Sequence, residues 1–179
     1  MDDVIIVGGG IGGLTLALML HEAGIACRVY EAAPEIKAIG VGINILPHAT
    51  RELAALGLED ALAKVAVTTV DACFFNRHGQ LVYQEPLGRH AGYEWPQFSI
   101  HRGDLHAVLF DACRSRIGDG RIVLGWKCVR VEHDERGVTV HFRDARTDAE
   151  LPPQRGAAAI GCDGINSAVR KQLYPDEGE

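Results

Sequence analysis

The chain has 179 residues, 47% of them apolar and 23% charged, and a formal net charge of −6. That is enough chain for an ordinary globular domain with a real core. The acidic balance, with no basic cluster larger than Arg170-Lys171, argues against nucleic acid as a partner. No apolar run is long enough to span a bilayer. The stretch Leu14–Leu20 could pass for a signal-peptide core, but Asp2 and Asp3 precede it where positive charge would be needed, so a cytoplasmic protein is expected. Five cysteines are scattered with no C-x-x-C, and eight histidines include no H-E-x-x-H pair. Neither a disulfide framework nor a metal site is predicted.

In chain order, a strand Val4–Val7 runs into Gly8-Gly9-Gly10-Ile11-Gly12-Gly13 and then an apolar helix ended by Gly24. Gly8, Gly10 and Gly13 fit G-x-G-x-x-G in the strand-to-helix context that this motif needs. Gly8 permits the tight turn, Gly10 leaves room for a pyrophosphate, and Gly13 lets the helix pack close. The helix N-terminus offers free N–H groups to phosphates. A second strand, Ala26–Glu31, ends in a carboxylate eighteen residues after Gly13, close to the spacing of about 20 for a ribose-binding acid. Such an acid repels a 2′-phosphate, which predicts FAD or NAD rather than NADP. The alternative is a solvated acid at a strand end.

The stretch Ala32–Asn44 reads as a loop, with Lys37 and Gly40-Val41-Gly42 in it. Helices are predicted at Pro47–Leu56 and Glu59–Lys64. A hairpin is predicted from Val70–Asn76 and Leu81–Tyr83, then a looser stretch to Pro96. A helix Arg102–Ile117 should bury Leu105, Val108, Leu109 and Ala112. After a short strand at Arg121–Leu124, a second hairpin joins Cys128–His133 to Val138–Arg143. A polar loop with Pro152-Pro153 follows. Ala157–Gly161, wholly small and apolar, suits the centre of a parallel sheet, and Asn166–Leu173 closes the chain as a helix. The pattern is α/β: a Rossmann-like parallel sheet with an antiparallel β insertion.

Three landmarks carry a resemblance: the glycine loop with Glu31, the stretch Ile100-His101-Arg102-Gly103-Asp104-Leu105, and Asp163-Gly164 followed by Ser167 and Arg170. Together they resemble the FAD-dependent aromatic hydroxylases. The stretches Gly40–Pro47 and Pro96–Gly103 look most like the phenazine-hydroxylating branch of that family. The resemblance implies a glutathione-reductase-type FAD-binding domain over residues 1–179. It also implies an NADH- or NADPH-dependent monooxygenase that acts on an aromatic or heteroaromatic substrate through a flavin C4a-hydroperoxide. By the same resemblance Gly8, Gly10 and Gly13 cradle the pyrophosphate and Glu31 binds the ribose. Arg102 reaches the ribityl–pyrophosphate part, Val41 and Gly42 lie beside the flavin ring, and the Cys128 backbone meets the adenine. Asp163 and Gly164 serve FAD and the transient NAD(P)H. Lys37 stands where many members carry Arg. No side chain is assigned as catalytic, since the flavin carries the chemistry; His48, His90 and His101 are left as structural.

Against these stand simpler readings: Arg102 as a surface residue, Asp163 as a helix-start acid, Cys128 as a core thiol. The family's second flavin motif and its substrate-covering sheet have no counterpart in the sequence, so the chain looks like the N-terminal half of a hydroxylase, with self-association through the face left uncovered. The competing functions are another reaction on the same fold (epoxidase, halogenase or reductase) and a non-catalytic nucleotide-binding fragment. The two tryptophans, Trp95 and Trp126, stand too far apart for a halogenase W-x-W-x-I-P stretch.

Overall fold

The computed structural model describes residues 3–37 and 40–177. In chain order the elements are β1 (Val4–Val7), α1 (Ile11–Glu22), β2 (Cys27–Glu31), β3 (Gly42–Ile45), α2 (Pro47–Ala55), α3 (Glu59–Ala63), β4 (Val67–Thr69), β5 (Asp71–Phe75), β6 (Leu81–Pro86) and β7 (Gln97–His101). They continue with α4 (Arg102–Ile117), β8 (Ile122–Leu124), β9 (Trp126–Asp134), β10 (Gly137–Asp144), β11 (Glu150–Gly156), β12 (Ala158–Gly161) and α5 (Ala168–Leu173). The chain divides into two compact units, one of residues 1–37 with 109–179 and the other of residues 38–108.

The first unit has three layers. Its middle is a parallel sheet in the order β12-β1-β2-β8. On one face lie the buried Leu14, Ala17 and Leu18 of α1, and the Cys113 thiol of α4 donates to the Leu14 carbonyl at 3.3 Å. On the other face the antiparallel sheet β11-β10-β9 packs Cys128, Val140 and Phe142 against Ile5, Val7 and Tyr30. Alternation along β1 thus feeds two cores, which is why its run is apolar throughout.

Two sequence expectations change here. The Pro152-Pro153 stretch is not a loop but part of β11. Pro152 and Pro153 lie where the register against β10 slips between Val140 and Phe142, on an edge strand where missing N–H groups cost no ladder bond. The strand at Ala158–Gly161 is not central: β12 is the sheet's edge, paired only to β1 among the described residues. Its small residues are largely exposed.

The second unit holds the sheet β3-β7-β4 and the ribbon β5-β6. Its buried side chains include Ile45, Leu53, Leu62, Phe98, Ile100 and Leu105. The predicted loop Ala32–Asn44 ends in a strand, β3, that pairs Gly42–Ile45 with Phe98–His101; Ala38 and Ile39 of that loop lie outside the described residues. Two glycines hid the strand, because glycine is depleted in strands and signals turns. Along α4 the buried apolar positions are Leu105, Leu109 and Cys113, a four-residue step, whereas Val108 and Ala112 are half-buried.

Candidate nucleotide site

The ends of β1, β2 and β12 meet at one edge of the parallel sheet, the carboxyl edge where ligands of such sheets bind. There the glycines do three different jobs. Gly8 donates its N–H to the Tyr30 carbonyl at 2.8 Å. With φ +106°, it passes so close to β12 that a Cβ would lie 2.3 Å from the Cys162 carbonyl oxygen. Gly13 opens α1 against the loop, and a Cβ there would lie 2.0 Å from the Gly8 carbonyl. At Gly10, the N-cap of α1, a Cβ would meet nothing within 4 Å. Its missing side chain is therefore not explained by protein packing. The first turn of α1 carries no acidic residue, so the helix dipole and its leading N–H groups are left for an anion.

Glu31 is held in place by backbone. Its Oε2 accepts the Gly9 N–H at 2.6 Å and its Oε1 accepts the Ala33 N–H at 2.7 Å. A carboxylate has about four acceptor sites, so each oxygen retains one after these bonds.

The Asp163-Gly164 motif is tied chiefly to itself. Oδ1 of Asp163 accepts the Ser167 hydroxyl at 2.6 Å, and Oδ2 accepts the N–H groups of Ala168 and Val169 at 2.7 and 3.3 Å. Ser167 in turn accepts the Arg170 N–H at 2.9 Å as the N-cap of α5. Arg170 Nη2 donates to the Ile165 carbonyl at 2.6 Å, and Gly164 takes φ +75°. Every fixed position of the motif therefore serves this turn. The helix-start reading of Asp163 is the one its contacts support, with the turn itself set on the cleft wall.

A cleft of about 360 Å³ is bordered by Gly8, Gly10, Glu31, Cys128, Asp163 and Gly164, so six of the predicted residues come together. Tyr30, Trp126, Lys127 and Asn166 also line it, and sequence reasoning missed all four. Tyr30 stacks on Phe142 (centroids 4.6 Å apart) and lies 5.4 Å from Trp126. Its hydroxyl donates to Gln154 Oε1 at 3.0 Å, and Arg28 Nη1 donates to both, at 3.0 Å to the hydroxyl and 2.8 Å to Gln154. This cross-layer clamp fixes the aromatic wall. The available signals were positional: Tyr30 abuts Glu31, and Trp126 is one strand repeat from Cys128. The Cys128 thiol is buried, and burial, with the Asp163 charge adding to it, pushes its pKa up to about 11. It is a core thiol, neutral and unreactive near pH 7.

Lys37, Val41, Gly42 and Arg102 are not among the residues that border this cleft. Lys37 is exposed and pairs with Glu35 at 2.7 Å. Val41, Gly42 and Arg102 are gathered in the second unit. Arg102 donates its N–H to the Val41 carbonyl at 3.0 Å, and a Cβ on Gly40 would lie 3.0 Å from the Arg102 Cβ. Arg102 starts α4, is exposed and has no ion pair among the described residues, although a cation is disfavoured at that end of a helix. Among the described residues there is no cluster that could hold a metal ion, and no helix is long and apolar enough to cross a membrane.

The chain is 40% identical over 178 residues to the phenazine 1,6-dicarboxylic acid hydroxylase PhzS of Lysobacter antibioticus, covering 99% of this chain and 44% of that protein. It is 33% identical over 179 residues to the 6-hydroxynicotinate 3-monooxygenase of Pseudomonas fluorescens, covering 97% and 43%. The chain thus spans less than half the length of these relatives. Among solved structures, Klebsiella pneumoniae HpxO complexed with FAD matches with a TM-score of 0.78 at 30% identity, over 96% of this chain and 42% of that one. Residues 1–178 match the FAD binding domain family, and the chain belongs to it.

Proposed function

We propose that the protein is an FAD-dependent monooxygenase that uses NADH or NADPH and O₂ to hydroxylate a small aromatic or heteroaromatic compound, and that residues 1–179 are its FAD-binding domain, at work in the cytoplasm. The observation that carries this reading is the cleft at the carboxyl edge, where Gly10 is open for a reason that packing does not supply and Glu31 is held with acceptor sites to spare. Both features fit the nucleotide end of FAD. Gly10 and the start of α1 would hold the pyrophosphate, and Glu31 the ribose hydroxyls. The Cys128 backbone and the Tyr30–Trp126 wall would bound the adenine end. Asp163 and Gly164, set on the cleft wall by their turn, would serve FAD and the transient NAD(P)H. Arg102, with no anion of its own, would bind the ribityl–pyrophosphate part, and Val41 and Gly42 would flank the ring system. Lys37, which stands where many members of the family carry Arg, would add a cation at the cofactor on leaving its exposed partner Glu35.

When bound, FAD supplies the chemistry, taking electrons from NAD(P)H and passing one oxygen atom from O₂ to the substrate. The protein's task is to orient the cofactor and keep water from it. In the test, the purified full-length protein, of which residues 1–179 form the FAD-binding domain, is reconstituted with FAD and supplied with NADH or NADPH and a panel of aromatic acids; residues 1–179 alone should not hydroxylate. Bound flavin near one per chain, with hydroxylated product formed in step with NAD(P)H consumption, is the expected result. Failure to retain FAD, or retention of NADP in its place, would overturn it.

A further inference from the structure

The cleft of the first unit has two walls that come from separate stretches of the chain. Trp126 and Cys128, at the start of β9, line one; Asp163, Gly164 and Ala168, in the turn that opens α5, line the other. No strand ladder joins them: among the described residues β9 pairs only with β10, and β12, which leads into the turn, only with β1. The second wall is carried by α5, a helix of six residues. A helix that short is not stable by itself, so its position depends on what it is fastened to. Val169 of α5 and Val131 of β9 both pack against the core cluster around Phe142. Three residues after Val169, the Gln172 side chain makes the two bonds that a neighbouring strand would make to Val131. Its Nε2 donates to the Val131 carbonyl at 2.5 Å, and its Oε1 accepts the Val131 N–H at 2.9 Å. Gln172 is exposed, so burial does not demand these bonds; water could satisfy the amide and the strand edge alike. Two bonds to one residue set both distance and orientation. They lie about 10 Å along β9 from Cys128 and about 6 Å along α5 from Ala168. The fastening is thus outside the cleft and attached to both of its walls.

We infer that Gln172 is a positioning residue for the adenine end of the cofactor: its paired bonds to Val131 set the spacing between the β9 wall and the wall carried by α5. The inference rests on the FAD reading above, in which the Cys128 backbone and the Tyr30–Trp126 wall bound the adenine. Gln172 touches no ligand itself. It acts on ligands that carry adenosine diphosphate and leaves the flavin half alone. A role confined to covering the open edge of β9 against pairing with another chain would change no ligand affinity.

The test uses the full-length apoprotein, titrated separately with FAD, flavin mononucleotide and adenosine 5′-diphosphate, with unfolding midpoints measured on the same samples. Gln172→Met keeps the length of the side chain and loses both bonds. It should weaken FAD and adenosine diphosphate in parallel by about fivefold or more, and leave flavin mononucleotide within about twofold. The unfolding midpoint should stay near that of the wild type. Gln172→Asn keeps the amide but is one methylene too short, and should give the same pattern. Wild-type affinity for FAD and adenosine diphosphate in both variants would overturn the inference and leave the FAD reading intact. A loss shared equally by flavin mononucleotide, or one that follows a fall in the unfolding midpoint, would also overturn it, because Gln172 would then be structural only. If the wild type itself does not bind FAD, the FAD reading falls and this inference with it.

Discussion

At Glu31 the ribose role proposed from the sequence stands beside a structural role that the sequence did not show. Its place after a strand, at the right distance from Gly13, announced the ribose role. That its oxygens also accept from Gly9 and Ala33 required the fold, because the Gly9 contact closes over 22 residues. Glu31→Lys should remove the two bonds proposed to the ribose and reverse the charge, costing FAD binding on the order of 3–6 kcal/mol, the loss of two hydrogen bonds to a charged group. Equilibrium titration of apoprotein with FAD measures it, and an affinity like the wild type's would refute the ribose assignment. Asp163 also gains a structural role from the fold. The sequence read it chiefly as a cofactor residue, yet its three contacts all go to the turn that starts α5. Asp163→Ala should therefore lower stability by roughly 1–2 kcal/mol, the loss of a cap, and Asp163→Asn by less, since one carbonyl oxygen remains to accept. Thermal or urea unfolding reads this directly. Unchanged stability in Asp163→Ala would return the residue to a role on the ligand.

Elements were legible where their pattern was local. The βαβ start at β1, α1 and β2 declares itself by an apolar strand, a glycine turn and an apolar helix, and α4 by its length and the glycines after it. What the sequence hid were strands whose partners are distant. Gly42–Ile45 becomes β3 only because Gln97–His101 lies beside it, and the two prolines of β11 fit only an edge with a register slip. Loop and strand ends meet similarly at Gly8, which packs on the backbone of Cys162 from the far end of the chain. Gly8 and Gly10 look alike in the motif but should fail differently. Gly8→Ala combines an unfavourable positive φ with overlap against a carbonyl, so it should destabilise the first unit by more than about 2 kcal/mol. Gly10→Ala meets no protein atom and keeps an extended backbone, so its stability should stay within about 0.5 kcal/mol of the wild type, while its FAD affinity falls. Unfolding curves and FAD titrations of the two variants separate them. Equal FAD affinity in Gly10→Ala with normal stability would show that the space above Gly10 is not where the pyrophosphate sits.

For the molecule as a whole, composition indicated a chain able to bury a core, and the structure shows two compact units. Composition could not show how unevenly the apolar surface is distributed. The first unit buries its side chains in two cores, but the ribbon β5-β6 has only two strands, and such a ribbon is marginal without a covering layer. Its tip exposes Phe75 at 60%, Val82 at 68% and Tyr83 at 54%, with Phe74 and Leu81 beside them. The residues cluster on both faces because the register slips between Phe74 and Phe75, which disturbs the usual apolar-in, polar-out alternation. The turn between the strands is locally fixed: Asn76 Oδ1 accepts the N–H groups of His78 and Gln80. An exposed apolar cluster of this kind favours contact with another copy. Residues 1–179 expressed on their own should therefore self-associate as concentration rises, a behaviour that sedimentation velocity would resolve. Phe75→Thr with Val82→Lys keeps β-compatible residues or adds an edge charge, so it should shift the population to monomer without lowering the unfolding midpoint. A wild-type chain that stays monomeric at high concentration would refute the expectation. A double variant that still associates would move the sticky surface away from the ribbon, with the open edge of β12 the next place to test.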